Sequence, residues 1–265
     1  MRGQALGRSF GERHFRVRKG IYILPNLITL SSMFFGFYSI VASLNADFER
    51  AAWAIMIASI FDVLDGWVAR ITHTATRFGI EIDSLSDVIS FGVAPGVLVY
   101  TWTLSSFGKI GWLGSFFLVA CAALRLARFN IQMGGAEKKH FTGLPTPASA
   151  LVIATTVLAY DEVIEILENL KLVGLADVIG KDYWVLGLTF LLAGLMVSNI
   201  TFHSLKEANL RERRPFGILV IIAAFLAVVA YHPALVLFLV SISYVVVGIV
   251  EAAYGLARRR KPDAV

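Results

Sequence analysis

Residues Phe61–Val88 read FDVLDGWVARITHTATRFGIEIDSLSDV, and the fold is decided by how four aspartates, Asp62, Asp65, Asp83 and Asp87, are tolerated in this stretch. The segments around them are apolar enough to lie in a membrane. A carboxylate at a bilayer centre costs about 2.5–3.5 kcal/mol on insertion scales, so four unpaired ones would cost on the order of 10 kcal/mol. A bound divalent cation offsets that cost economically, because hard cations take carboxylate oxygens as ligands. Positions three and four apart share a helix face. Asp62, Asp65, Gly66 and Ala69 therefore line one stripe, and Gly79, Asp83 and Asp87 line another. Each stripe sets two carboxylates beside residues with almost no side chain, which leaves room for an ion and a phosphate to approach. Singly, each aspartate reads better as a helix-end cap or a solvated loop acid; the four in this arrangement favour a cation site.

The rest of the chain fits that setting. Of its 265 residues 57% are hydrophobic and only 16% charged, with a mean hydropathy of +0.71. Globular chains carry about a quarter charged residues. The deficit and the repeated apolar runs predict an all-α polytopic membrane protein. No polar linker divides it, so a single bundle is expected, with a basic and interfacial segment at 1–20, one transmembrane domain over 21–258 and a basic tail at 259–265. The one cysteine, Cys121, lies in an apolar run and reads as a packing residue, with no intrachain disulfide available.

About eight spans are expected: 23–44, 51–71, 79–102, 110–129, 147–160, 184–202, 216–231 and 233–257. Strung in alternation, they leave all but four of the 24 Lys and Arg on one side; the exceptions are Arg50, Lys109, Lys171 and Lys181. The basic pI of about 9.4 thus points to a membrane rather than to nucleic acid. The positive-inside bias puts both termini in the cytoplasm and the acids near the cytoplasmic leaflet. Between the fifth and sixth spans, residues 161–182 carry Asp161, Glu162, Glu165, Glu168, Asp177 and Asp182 with apolar residues at helical spacing, which predicts an amphipathic surface helix with the acids on its wet face. Gly92-x-x-Pro95-Gly96 predicts a bend or close packing within the third span. The late spans read as scaffold and as a homodimer surface.

The spacing Asp62-x-x-Asp65-Gly66-x-x-Ala69-Arg70, eight residues, Gly79, three residues, Asp83, three residues, Asp87 resembles the signature of the CDP-alcohol phosphatidyltransferase family. Within it, Asp83–Gly96 (DSLSDVISFGVAPG) most resembles the integral-membrane phosphatidylserine synthases. The resemblance implies that a cytidine diphosphate lipid, CDP-diacylglycerol, gives its phosphatidyl group to an alcohol, with CMP leaving. It implies a divalent metal, Mg2+ or Mn2+, on Asp62, Asp65 and Asp83, with Asp87 as general base that also touches metal. Gly66, Ala69, Arg70 and Gly79 would border the nucleotide and its phosphates. Asn26 and Thr29, three apart near the start of the first span, read as helix-capping groups or, on the resemblance, as nucleotide contacts.

Arg125 and Arg128 read as positive-inside anchors or as ligands for an anion, because a guanidinium bonds carboxylate or phosphate in two places. The resemblance points to L-serine as acceptor, and glycerol 3-phosphate or inositol phosphate remain open. The Gly143-Leu144-Pro145 loop resembles one that borders the site in phosphatidylserine synthases, whereas His140 reads as a solvated residue of a basic loop. Intramembrane acids also mark ion-coupled carriers. Carriers show paired halves with interrupted helices, and this sequence shows neither.

Overall fold

The computed structural model describes residues 23–72, 76–133, 143–169, 181–200 and 232–259. The basic segment 1–20, the loop head 138–142 with His140, the expected span at 216–231 and the tail beyond Arg259 lie outside the described residues. Seven long helices, one short 3-10 helix (Leu104–Phe107) and no strand occur among the described residues; the long ones are α1 (Ile23–Leu44), α2 (Phe48–Thr72), α3 (Arg77–Trp102), α4 (Lys109–Met133), α5 (Thr146–Asn169), α6 (Lys181–Val197) and α7 (Pro233–Arg259). Five of them, α1, α2, α3, α4 and α7, are long and apolar enough to cross a membrane, and α6 is a shorter apolar helix. The protein is therefore an all-helical, multi-pass membrane protein.

Local chemistry sets several boundaries. Thr76 caps α3, accepting from the Gly79 N–H at 3.0 Å, which starts the helix two residues before the Gly79 expected from the apolar run. Val88–Val93 of α3 is π-helical, with the Ala94 N–H bonded to Ile89 O. Pro95 accounts for the irregularity: it has no N–H, and its ring crowds the preceding turn, which widens in response. Ser115 Oγ donates to Gly96 O at 2.6 Å, and a Cβ on Gly96 would lie 2.7 Å from Val119 Cγ2, so α4 sits close against this part of α3. Of the two effects expected of the Gly-x-x-Pro-Gly run, the close packing is present.

The expected helix is present over 161–169 and runs on from α5 without a break; the rest of the stretch, 170–180, lies outside the described residues. No Gly or Pro follows Pro147 within α5, and Val163, Ile164 and Ile166 prolong its apolar period, so nothing stops the helix at Tyr160. Glu162 and His232, at the start of α7, meet as an ion pair beyond this point. The sixth span ends at Val197 rather than Phe202. There Gly143, at φ +90, donates its N–H to Ile200 O at 2.7 Å, and the Leu144 N–H takes Leu195 O at 3.0 Å.

The core that positions the acids is built on small residues. α2 buries Ala51, Ala52, Ala54, Ile55 and Ala58, and α1 buries Thr29, Ser32, Gly36, Ser39, Ala42 and Ser43. Where lipid tails offer no hydrophobic drive between helices, close backbone approach and hydroxyl bonds hold them together. Ser32 Oγ donates to Ala58 O at 3.0 Å, Ser86 Oγ to Thr29 O at 3.1 Å and Ser90 Oγ to Ser32 O at 3.0 Å. Helix α1 is thus hydroxyl-bonded to α2 on one side and to α3 on the other. A Cβ on Gly36 would lie 2.7 Å from Ser90 Cα, which is backbone and cannot turn aside. Gly36→Ala is expected to destabilise the protein by about 1–3 kcal/mol, read as a lower melting temperature in detergent. Gly66→Ala is the control, since its Cβ meets nothing within 4 Å.

Candidate active site

The hairpin of α2 and α3 brings the two acidic stripes together. Asp62 stands about ten residues, roughly 15 Å along a helix, from the end of α2 and Asp87 as far from the start of α3, and Asp65 and Asp83 stand closer to those ends at similar depths. Helix α2 packs on the Val88–Trp102 part of α3, whereas Arg77–Asp87 leans chiefly on α1. A wedge therefore opens between α2 and the start of α3, with α1 as its back wall. Across it, Asp62, Asp83 and Asp87 each place a carboxylate oxygen within 4.8 Å of the others. All three are half-buried. Oxygens this close repel one another in a medium of low dielectric; Asp62 and Asp87 meet through a side-chain hydrogen bond, and a shared cation would offset the charge of all three.

Asp65 sits behind this trio. It is only 5% exposed, and its Oδ2 has no hydrogen-bond partner. The Thr29 hydroxyl and the Gly66 N–H lie beside its carboxylate, but the Thr29 proton goes to Pro25 O at 3.1 Å. A buried carboxylate oxygen without a donor is costly, and here it faces the field of Asp62 and Asp83. The side chains gathered here therefore fit a divalent ion. Its donors are all hard oxygens, three converging and one orphaned, as Mg2+, Mn2+ or Ca2+ sites require.

The neighbouring candidates fall into two groups. Gly66 and Ala69 lie on the wedge-bearing face of α2, and Gly66 faces open space. A Cβ on Gly79 would lie 3.3 Å from Asn26 Oδ1, so Asn26 sits against the start of α3. Arg70 is exposed near the end of α2. Arg125 has Asp87 among its electrostatic partners, donates from Nη1 to Thr146 Oγ1 at 3.3 Å and keeps a buried Nε with no partner. Arg128 turns elsewhere. Its guanidinium donates to Val197 O at 3.3 Å, Ser198 O at 3.4 Å and Met196 O at 3.5 Å, closing the C-terminal end of α6. The Gly143-Leu144-Pro145 loop docks at that same end, and the residue following it, Thr146, is the one that meets Arg125.

Two features escaped the sequence reading. One is Asn130, whose Nδ2 donates to Ser84 Oγ at 2.9 Å and ties the end of α4 to the residue after Asp83. Nothing in a lone Asn near a helix end announces that contact. The other is the hydroxyl and glycine stripe of α1. It had a signal: Thr29, Ser32, Gly36, Ser39 and Ser43 recur at helical spacing.

Fold and site together define a multi-pass membrane protein with a carboxylate cluster suited to a divalent ion. The profile of the CDP-alcohol phosphatidyltransferase family matches residues 22–180, and the chain belongs to that family. The serine O-phosphatidyltransferase of Helicobacter pylori J99, which uses CDP-diacylglycerol by name, is 36% identical over 231 residues, 87% of this chain and 91% of that protein. The Mycobacterium tuberculosis H37Rv protein of the same name is 31% identical over 241 residues, 86% of this chain and 78% of its own. Archaetidylserine synthase of Methanothermobacter thermautotrophicus is 43% identical over 137 residues, 51% of this chain and 58% of that protein.

Proposed function

We propose that the protein transfers the phosphatidyl group of CDP-diacylglycerol to the hydroxyl of L-serine, giving phosphatidylserine and CMP. The observation that carries this reading is the convergence of Asp62, Asp83 and Asp87 within 4.8 Å, beside Arg125, in a chain of this family. Asp62, Asp65 and Asp83 would hold the divalent ion, Mg2+ or Mn2+, with Asp87 at its edge. A bound ion neutralises charge on the diphosphate oxygens as the phosphorus is attacked. The open face at Gly66 and Ala69 leaves the nucleotide room to lie along α2, with Asn26, Thr29 and Gly79 at its border and exposed Arg70 reaching its phosphates.

The serine hydroxyl oxygen bonds to the phosphorus that carries diacylglycerol, and the P–O bond to CMP breaks. The hydroxyl proton passes to the Asp87 carboxylate, and CMP leaves with the bridging oxygen and its electron pair. Asp87 suits the base role because it faces both the other acids and Arg125. Arg125 would hold the serine carboxylate, since a guanidinium offers paired donors to a carboxylate and this one has Asp87 as an electrostatic partner.

The same reading places the acids near the cytoplasmic leaflet and both termini in the cytoplasm, from the distribution of Lys and Arg. It keeps the eight-span bundle, with 21–258 as one domain between a basic interfacial segment and a basic tail, and a homodimer formed through the late helices.

Purified enzyme with labelled CDP-diacylglycerol and a panel of alcohols tests the reaction. CMP release with L-serine, and not with glycerol 3-phosphate or inositol phosphate, is expected; release driven by another acceptor overturns the serine assignment. Arg125→Ala is expected to raise KM for L-serine about tenfold or more, the size of one lost charged hydrogen bond. Arg128→Ala is expected to lower the melting temperature instead, with KM for serine within about twofold, because its bonds are to the end of α6. Steady-state kinetics and thermal melts in detergent separate the two.

A further inference from the structure

We propose that Asn130, near the end of α4, is a positioning residue that holds the Asp83 carboxylate within reach of the divalent ion. The inference rests on the reading of the acidic cluster as a cation site.

The segment that carries Asp83 and Asp87 is supported on few sides. Arg77–Asp87 leans chiefly on α1, with the wedge between it and α2. The backbone of α4 lies against the Val88–Trp102 part of α3 and leaves Arg77–Asp87 largely clear. Asp62 of α2 and Asp83 and Asp87 of α3 nevertheless bring oxygens within 4.8 Å of one another. Whatever negative charge they carry presses α3 away from α2.

Two side-chain bonds resist that movement. Ser86 Oγ donates to Thr29 O of α1 at 3.1 Å, and Asn130 Nδ2 of α4 donates to Ser84 Oγ at 2.9 Å. Asp83 directly precedes one of these anchors, and Asp87 directly follows the other. The bond from Asn130 is defined at both ends. Ser84 Oγ gives its own proton to Ile80 O at 3.0 Å, so it offers Asn130 only lone pairs, and the amide presents its nitrogen. Helix α4 is itself fixed to α3 by the 2.6 Å bond from Ser115 Oγ to Gly96 O, roughly 18 Å further along α3. Asn130 therefore reaches from an anchored helix to a segment that is not packed on it. Interhelical side-chain bonds set helix spacing where lipid supplies no hydrophobic drive. A divalent ion takes its oxygens at about 2.0–2.6 Å, so a small shift of the helix under Asp83 is read as lost affinity.

Asn130→Ala and Ser84→Ala each remove one end of the bond, whereas Ser84→Thr keeps the hydroxyl. Mn2+ binding to the purified full-length protein, followed by electron paramagnetic resonance, reads the effect. Each alanine variant is expected to raise the Kd for Mn2+ about tenfold, the lower end of the range for residues that orient a metal ligand, with Ser84→Thr within about twofold of wild type. The double alanine variant is expected to bind no worse than either single one, since partners in one bond are non-additive. The chelated variants are expected to melt within about 3 °C of chelated wild type. Unchanged affinity in both alanine variants, beside a wild type that binds Mn2+, overturns this inference and leaves the cation site and the function intact. A lower melting temperature with unchanged affinity would make Asn130 a packing residue only. Equal weakening by Ser84→Thr and Ser84→Ala would also overturn it, because the hydroxyl would then be irrelevant. A wild type that binds no Mn2+ removes the cation site itself, and this inference with it.

Discussion

Asp87→Asn is expected to lower turnover by roughly 10²–10⁴-fold, the range that a positioned general base contributes, while CDP-diacylglycerol still binds. The change keeps the shape of the side chain and removes its ability to take a proton. Asp87 is the carboxylate of the trio that also faces Arg125, so the acceptor held there would present its hydroxyl on the Asp87 side. Asp62, Asp65 and Asp83 stay in place in the variant, and with them most of the ion's ligands. Single-turnover CMP release and equilibrium binding of CDP-diacylglycerol check the two halves separately. Lost binding with residual turnover would place Asp87 among the substrate-holding groups and leave the base unassigned.

The second large effect concerns the ion itself. Chelation is expected to abolish CMP release, with recovery on adding Mg2+ or Mn2+. It should also lower the melting temperature, since a ligand at 100 times its Kd stabilises the folded state by about 2.7 kcal/mol. The sign of this effect reverses in a useful way when one carboxylate is removed. Without metal, Asp62, Asp83 and Asp87 repel across less than 4.8 Å, so metal-free Asp83→Asn should melt higher than metal-free wild type. With metal, the order should invert, because the variant has lost a ligand. Calorimetry in detergent with and without chelator gives all four values. Equal melting of the two chelated proteins would mean that the acids do not share a field.

The sequence exposed a large part of this arrangement. Asp62 and Asp65 on one helical stripe and Asp83 and Asp87 on another are consequences of 3.6-residue periodicity, and the two helices lie close together in the sequence. What the pattern could not supply was the distance between the stripes. That is set by α1, through Ser32, Ser86, Ser90 and the missing Cβ of Gly36, contacts between residues up to 58 positions apart. Arg125 and Arg128 illustrate the same limit. Three residues apart on one helix, they look equivalent, yet one borders Asp87 and the other closes the end of α6. The acidic residues after Tyr160 announce a change from a buried to a wet helix face, but they do not interrupt α5, because a helix stops only where its backbone must.

The central claim is that carboxylates from α2 and α3 ligate one divalent ion. The most direct test is Mn2+ binding to the purified protein followed by electron paramagnetic resonance, in wild type and in Asp62→Ala and Asp83→Ala, one from each helix. The account predicts saturable binding in the wild type and its loss or strong weakening in both variants. Undiminished Mn2+ binding in either variant would contradict it.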